Sequence, residues 1–160
     1  MTDIDEIRNL LAEYCHRLDD GDPALAGFFV SGGTIVEEGR EMPIARLPII
    51  RKHLAALRQQ QSEVLGRKHL SMNHVVRVDG DRASAVSDLL IMTLVDSGAW
   101  VTTGNGRYTD SLVKEDGTWK FEKRVVTWYL DRPYRVGDPK TGPLFGEMLD
   151  RALEASKGET

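Results

Sequence analysis

The chain has 160 residues, 41% hydrophobic and 29% charged, which favours a single globular domain. Its formal net charge of −4, with basic residues scattered along the chain, gives no electrostatic reason to expect nucleic-acid binding. The one cysteine, Cys15, excludes a disulfide within the chain and zinc sites built from cysteine pairs.

The N-terminus is acidic and lacks a basic stretch followed by an apolar run, so we expect no signal peptide. Every apolar run is far shorter than the roughly 20 residues that a membrane-spanning helix requires. We therefore expect a cytoplasmic protein that does not contact a membrane.

The first part of the chain has helical periodicity. Apolar residues spaced by three and four predict an amphipathic first helix, and they are Ile4, Ile7, Leu10, Leu11, Tyr14 and Leu18. This helix should end near residues 19–23, where Gly21 can take the left-handed conformation. The next predicted elements are a short helix over 24–29, a short strand over 34–36 and a helix over 44–61.

From residue 67 onward the apolar period changes from about 3.6 to 2. Tight turns at Gly80, Gly98 and Gly117 divide this part into four strands, predicted over 68–78, 82–95, 100–114 and 119–129. Such strands form an antiparallel meander. A connection rich in proline and glycine, over 133–143, leads to a terminal helix over 144–155.

Helices followed by an antiparallel sheet predict an α+β domain. A strongly twisted sheet that wraps over helices leaves a concavity, which favours a small-molecule site.

Several local motifs resemble a known family. They are YCHRLDDGD at 14–22, HLSMN at 69–73, GRYTD at 106–110 and EDGTWKF at 115–121. With the order of elements over about residues 3–130, they resemble the SnoaL-like branch of the NTF2-like superfamily. The resemblance implies one domain over 1–160, a cone-shaped α+β barrel whose N-terminal helices pack in a curved antiparallel sheet. Relatives pack the outer sheet face against a partner, which implies a homodimer or homotrimer.

The resemblance also implies a site. Superfamily members similar to scytalone dehydratase, the bile-acid dehydratases and a hexachlorocyclohexane dehydrochlorinase use an Asp at the end of the first helix and a His on the first long strand. Asp19 and His69 match those positions, and Tyr14 matches a tyrosine five residues before the Asp of the bile-acid enzymes. Leu18 replaces a tyrosine of scytalone dehydratase, and Trp128 stands about where the bile-acid enzymes have an arginine. Substrate identity therefore does not carry over.

Elimination needs a base beside an activating carbonyl and a donor at the departing oxygen. An imidazole, with an ordinary pKa of about 6.5, suits the base at physiological pH. We assign His69 as the base and Asp19 as the partner that fixes its tautomer and stabilises the imidazolium. Tyr14 and Tyr108 are phenol donors that could hold an enolate-like oxygen.

Strand alternation predicts Ser71 and Asn73 on the same face as His69, so Asn73 is expected to steer a polar substrate group. Trp100 and Trp128 are also assigned to substrate binding. His74 has the opposite parity, and His16 and His53 lie on predicted helices. These three histidines are interpreted as structural or exposed.

Some assignments have a structural alternative. Tyr14 could be a core residue of the helix stripe, and Tyr108 could be a cross-strand packing residue. Asp19 could be an ordinary turn residue. Arg124 could pair with a substrate anion, or with Glu122 or another neighbour in the sheet.

No sequence pattern indicates a metal, a dinucleotide or a serine nucleophile, so we expect no cofactor. The leading hypothesis is a cofactor-independent lyase or isomerase, of the dehydratase or cyclase type, acting on a hydrophobic oxygenated small molecule such as a polyketide, steroid or aromatic compound. The second is a non-catalytic module for small-molecule binding or association. The third, an epoxide hydrolase, is weaker because its Asp-Arg-Asp set has no convincing match.

Overall fold

The computed structural model describes residues 1–59, 66–129 and 142–159. Its helices are α1 (Asp3–Asp19), α2 (Leu47–Gln59) and α3 (Phe145–Ser156), with 3-10 turns at Pro23–Phe28 and Ile44–Arg46. Its strands are β1 (Phe29–Glu37), β2 (Arg40–Pro43), β3 (Gly66–Asp79), β4 (Arg82–Leu94), β5 (Trp100–Glu115) and β6 (Thr118–Trp128). The last two residues of the predicted 44–61 helix and most of the predicted irregular connection lie outside the described residues.

Helix α1 ends where its sequence predicts, and its start is closed by a capping box. The Thr2 hydroxyl accepts a hydrogen bond from the Asp5 main-chain N–H, and the Asp5 carboxylate accepts one from Thr2 N, which together form a capping box. Ile7 and Leu11 on its apolar face are fully buried. Gly21 has a φ of 69°, which favours glycine, so α1 ends with Asp19 at the rim of the sheet.

The sheet has the strand order β2-β1-β6-β5-β4-β3. The predicted antiparallel meander of β3 to β6 is confirmed. However, β1 pairs with β6 in parallel, so the sheet is mixed rather than wholly antiparallel. The 3-10 turn before β1 brings the chain in beside β6, at the far side of the meander from β3. Among the described strands β2 and β3 are the two edges, so the curved sheet stays unclosed.

The short elements differ from their predictions. The predicted helix over 24–29 is a 3-10 turn, and the predicted strand over 34–36 is the longer β1, which also forms a hairpin with β2. Helix α2 begins at Leu47, so Pro48 lies in its first turn, where its missing N–H has no intrahelical partner to lose.

The core lies between the three helices and the inner face of the curved sheet. Helix α1 packs against β3, while α2 packs against α3. Met148, Leu149 and Ala152 bury one face of α3, the terminal helix predicted over 144–155. No helix of the described ranges is long and apolar enough to cross a membrane.

Candidate functional site

A cavity of about 600 Å³ lies between the helices and the inner face of the sheet. A space of this size holds a drug-sized molecule. Its apolar wall comes from all layers of the fold and includes Leu25, Ile35, Met42, Leu54, Leu89, Ile91, Val126, Phe145 and Leu149. Its polar wall includes Tyr14, Asp19, Glu37, Arg51, Arg67, His69 and Tyr108.

Asp19 and His69, 50 residues apart in sequence, are in direct contact. The Nδ1 atom of His69 lies 2.6 Å from Oδ1 of Asp19. The main-chain N–H of His69 also donates to both carboxylate oxygens, at 3.1 and 3.0 Å. Their side chains are 12% and 10% exposed, so the pair is mostly buried and still reaches the cavity. A carboxylate only accepts, so this contact favours the tautomer with the proton on Nδ1, which leaves Nε2 as the basic nitrogen.

The local structure explains why these two residues meet. Asp19 is the last residue of α1, where the chain turns at Gly21. Packing of α1 along β3 brings that helix end to the start of the strand. On β3 the alternation of side chains directs His69 and Ser71 inward and leaves Leu70 more exposed on the outer face.

Tyr14 and Tyr108 lie side by side in the cavity wall, with ring centroids 6.4 Å apart. Both are almost fully buried, and burial raises the pKa of Tyr14 to about 12 and that of Tyr108 well above its usual value. Both phenols therefore stay protonated at neutral pH and can donate a hydrogen bond. Tyr14 and Tyr108 are both packed in the core and part of the pocket wall, so the two roles predicted for each tyrosine are compatible.

Arg124 lies behind these rings, fully buried. Its Cζ atom is 4.1 Å from each of the two tyrosine ring centroids, within cation–π range. Its Nε and Nη2 atoms donate to the two carboxylate oxygens of Asp110, both at 2.8 Å. The neighbour that pairs with Arg124 is therefore Asp110 on β5, while Glu122 pairs with Arg82 at the surface.

The prediction that Asn73 shares the inner face with His69 is wrong. Strand β3 has an irregular register between Met72 and Val75, and Asn73 has a φ of 55°. The extra residue reverses the alternation. Asn73 is exposed and donates to Asp88 of β4 at 2.9 Å. His74 consequently turns to the side of His69 and Ser71, against its predicted parity.

We still interpret His74 as a structural residue, although the reversal turns it to the same side of β3 as His69. It is half-buried, and its Nε2 lies 3.0 Å from Oγ of Ser71. Burial lowers the pKa of His74, which favours the neutral ring at physiological pH.

The two tryptophans assigned to the pocket differ in position. Trp128 lines the cavity, and its Nε1 donates to Oε1 of Glu37 at 3.1 Å. Trp100 is 43% exposed and lies against Gly66 beside the cavity rather than in its wall. The assignment of Trp100 to substrate contact therefore lacks structural support.

Three charged lining residues were missed from the sequence: Glu37, Arg51 and Arg67. Arg67 was detectable, because it precedes His69 by two residues and therefore shares its strand face. Glu37 has the same parity as the buried Ile35, but the predicted strand stopped at residue 36. Arg51 gave no signal, since it follows the apolar Ile50 on a helix whose start was uncertain. Within the described residues no group of three metal-ligating side chains lies close enough to hold an ion.

Comparison with solved structures defines the class of fold. A protein of unknown function from Mycobacterium tuberculosis is 24% identical, with a TM-score of 0.75 over 97% of this chain and 89% of that one. A putative scytalone dehydratase from Novosphingobium aromaticivorans is 21% identical, with a TM-score of 0.65 over 88% and 94% of the two chains. The β subunit of a putative aromatic-ring-hydroxylating dioxygenase from the same organism is 20% identical, with a TM-score of 0.63 over 81% and 90%.

These similarities show an NTF2-like fold. Another similar solved structure, that of an NTF2-like protein, is 23% identical to this chain with a TM-score of 0.66. The SnoaL-like domain model matches residues 1–125, so the chain belongs to the SnoaL-like domain family. Helix α3 follows the matched region. No curated protein matches the sequence.

Proposed function

We propose that this protein is a cofactor-independent lyase or isomerase of the dehydratase or cyclase type, acting on a hydrophobic oxygenated small molecule. One observation carries the proposal: the 2.6 Å contact between His69 and Asp19 in the wall of a largely apolar cavity. A His69 side chain that pointed into solvent would have left the proposal without this support. The putative scytalone dehydratase among the structural relatives gives the same direction by analogy.

The chemistry follows from the groups around the cavity. Asp19 accepts a hydrogen bond from the Nδ1–H of His69, so Nε2 is available to take a proton from the carbon beside a carbonyl. The two electrons of that C–H bond form an enolate, and a hydrogen bond from Tyr14 or Tyr108 stabilises its oxygen. In a dehydration the enolate re-forms the carbonyl, a C=C bond forms and the C–O bond breaks. The His69 imidazolium then returns its proton to the departing hydroxyl, which leaves as water.

In a double-bond shift the same proton returns to a different carbon. The positive charge of Arg124, 4.1 Å from both tyrosine rings, favours negative charge developing beside their hydroxyls.

The second candidate is a non-catalytic module that captures a small molecule. The breadth of the apolar wall favours it, since a cavity of about 600 Å³ binds an apolar ligand without any chemistry at His69. One of the similar solved structures is the β subunit of a putative aromatic-ring-hydroxylating dioxygenase, so the fold also occurs in a protein that works as a subunit.

A turnover screen separates the two candidates. β-Hydroxyketones of aromatic, polyketide and steroid type would be tested for loss of water, followed by the ultraviolet absorbance of the enone product. We expect the wild type to turn over at least one class and His69→Gln to lose about 10²–10⁴-fold in rate. His16→Gln is the matched control, because His16 is exposed on α1. Equal turnover by wild type and His69→Gln would remove His69 from the mechanism, and ligand binding without turnover would favour the binding module.

We also propose that copies of the chain associate through the outer face of the sheet, as expected from the resemblance, and that the protein works in the cytoplasm. Leu70, Met72 and Val75 of β3 are 38%, 37% and 49% exposed on that face, which gives an apolar patch. Light scattering of the wild type and of Met72→Lys tests the association, since the lysine should shift the mass toward the monomer.

A further inference from the structure

Two arginines of the cavity wall have no carboxylate partner among the described residues. Five described arginines outside the cavity wall, Arg17, Arg40, Arg82, Arg107 and Arg124, each pair with an Asp or Glu, and the remaining unpaired ones, Arg8, Arg46, Arg77 and Arg151, do not line the cavity. Arg51 and Arg67 both line the cavity, and neither has such a pair. Arginines without a counter-ion in a cavity wall are the typical receptors of an oxyanion.

Arg51 is held in place by main-chain oxygens. From α2 its Nη1 donates to the carbonyl of Asp22 at 3.1 Å and its Nη2 to that of Leu18 at 3.4 Å. A guanidinium has five N–H donors, so this fixed group keeps donors for a ligand. Burial lowers the pKa of Arg51, a cost that a bound anion would relieve. Its two anchors flank Asp19, so Arg51 lies at the same end of the cavity as the histidine pair.

Arg67 lies at that end too. It precedes His69 by two residues on β3, so the two side chains start roughly 6–7 Å apart on the same face. Its Nε is buried and has no hydrogen-bond partner in the described part of the chain. A buried donor without a partner is costly, and a ligand oxygen would satisfy it.

The acidic groups of the cavity leave this end available to an anion. The Asp19 carboxylate is engaged by the ring and the main chain of His69. Glu37 lies on β1 and accepts from Trp128, and β6, β5 and β4 separate β1 from β3 in the sheet. The end near Arg51 and Arg67 therefore carries two guanidinium groups and one carboxylate that His69 already engages, which leaves an excess of positive charge.

We infer that the ligand of this cavity is an apolar molecule with an oxyanion, a carboxylate or phosphate group, which Arg51 and Arg67 bind beside His69. The inference rests on the proposed function only for placing the reacting carbon next to His69. The apolar body of the ligand lies along Ile91, Val126 and Trp128. The charged end thus fixes which carbon faces the base.

Calorimetric titration with three naphthalene probes tests this inference without any turnover. The probes are 2-naphthoate, 2-naphthyl phosphate and the neutral 2-naphthamide. We expect the wild type to bind at least one anion about tenfold more tightly than the amide, an advantage that charge-assisted hydrogen bonds supply. Whichever anion binds more tightly identifies the group as carboxylate or phosphate.

Arg51→Gln and Arg67→Gln should each lose most of that preference and keep the affinity for naphthamide within about twofold. Arg77→Gln, at an exposed position of β3, is the matched control and should behave as the wild type. Arg51→Lys should retain part of the preference. The titration involves no turnover, so a failure of the proposed catalysis stays distinct from a failure of anion binding. Equal affinity of wild type for all three probes, no binding of either anion, or equal losses for anion and amide in the arginine variants would overturn the inference.

Discussion

Two of the aspartates that pair with a basic residue, Asp110 and Asp19, lie in different surroundings. Asp110 and Arg124 face each other on β5 and β6, both without any exposed side-chain surface. Asp19 and His69 join a helix end to a strand, and each keeps about a tenth of its side chain exposed toward the cavity. The first pair joins a permanent cation to a carboxylate in a closed core. The second joins an imidazole to a carboxylate in the wall of the cavity, where we propose that proton transfer takes place.

The closed pair should have the largest effect on stability. Asp110→Asn leaves Arg124 charged and buried without its counter-ion, so we expect a loss of about 3–5 kcal/mol in the free energy of unfolding. Urea unfolding measures it. Asp88→Asn is the control, because the Asp88–Arg107 pair is exposed and should contribute less than about 1 kcal/mol. Similar losses of unfolding free energy in both variants would show that the buried Asp110–Arg124 pair is no more important for stability than the exposed pair.

The open pair should affect activity rather than stability. Asp19→Asn keeps a side chain of the same shape but removes the charge that orients the ring and stabilises the imidazolium. On a substrate found by the turnover screen, we expect kcat/KM to fall about 10²–10³-fold. Thermal unfolding should change little compared with Asp110→Asn. An Asp19→Asn enzyme with wild-type kcat/KM would contradict the division between the two pairs.

The buried tyrosines of the cavity wall predict that the protein loses stability at alkaline pH. Burial raises the pKa of Tyr14 from 10.0 to about 12, so the folded protein holds this proton longer than the unfolded chain does. The stabilisation is fully present below pH 10 and is lost as the pH rises toward 12, by roughly 2–3 kcal/mol for this group. Denaturant unfolding at pH 9 to 11 should show a smaller decline for Tyr14→Phe than for the wild type. Tyr129→Phe, at a residue 51% exposed, should follow the wild type.

The smallest effects are expected at Asn73, outside both pairs. Asn73→Ala places a Cβ-bearing residue at φ 55° and removes the bond to Asp88, which should lower stability by about 1 kcal/mol. Asn73→Gly should cost less, because glycine accepts this backbone conformation. Neither variant should change turnover or probe affinity by more than about twofold. A large loss of turnover would instead indicate that Asn73 takes part in the functional site.

Periodicity predicted the meander and α1, because both have regular apolar patterns and glycine turns. It could not predict the parallel pairing of β1 with β6, which depends on contacts between distant parts of the chain. Strand parity placed His69 and Ser71 correctly and failed at Asn73, since one extra residue in β3 reverses the alternation and leaves no mark in residue type. The meeting of Asp19 with His69 was predicted through the family resemblance.

The central claim is that Asp19 fixes His69 with the proton on Nδ1, so that Nε2 is the base. The tautomer of the neutral ring, measured by two-bond ¹H–¹⁵N correlation on protein labelled with ¹⁵N-histidine, tests this claim without a substrate. The signals can be assigned by comparison with His69→Gln. The account predicts a protonated Nδ1 and an unprotonated Nε2 in the wild type. A neutral His69 ring that carries its proton on Nε2 could not donate from Nδ1 to Asp19, and this result would contradict the claim.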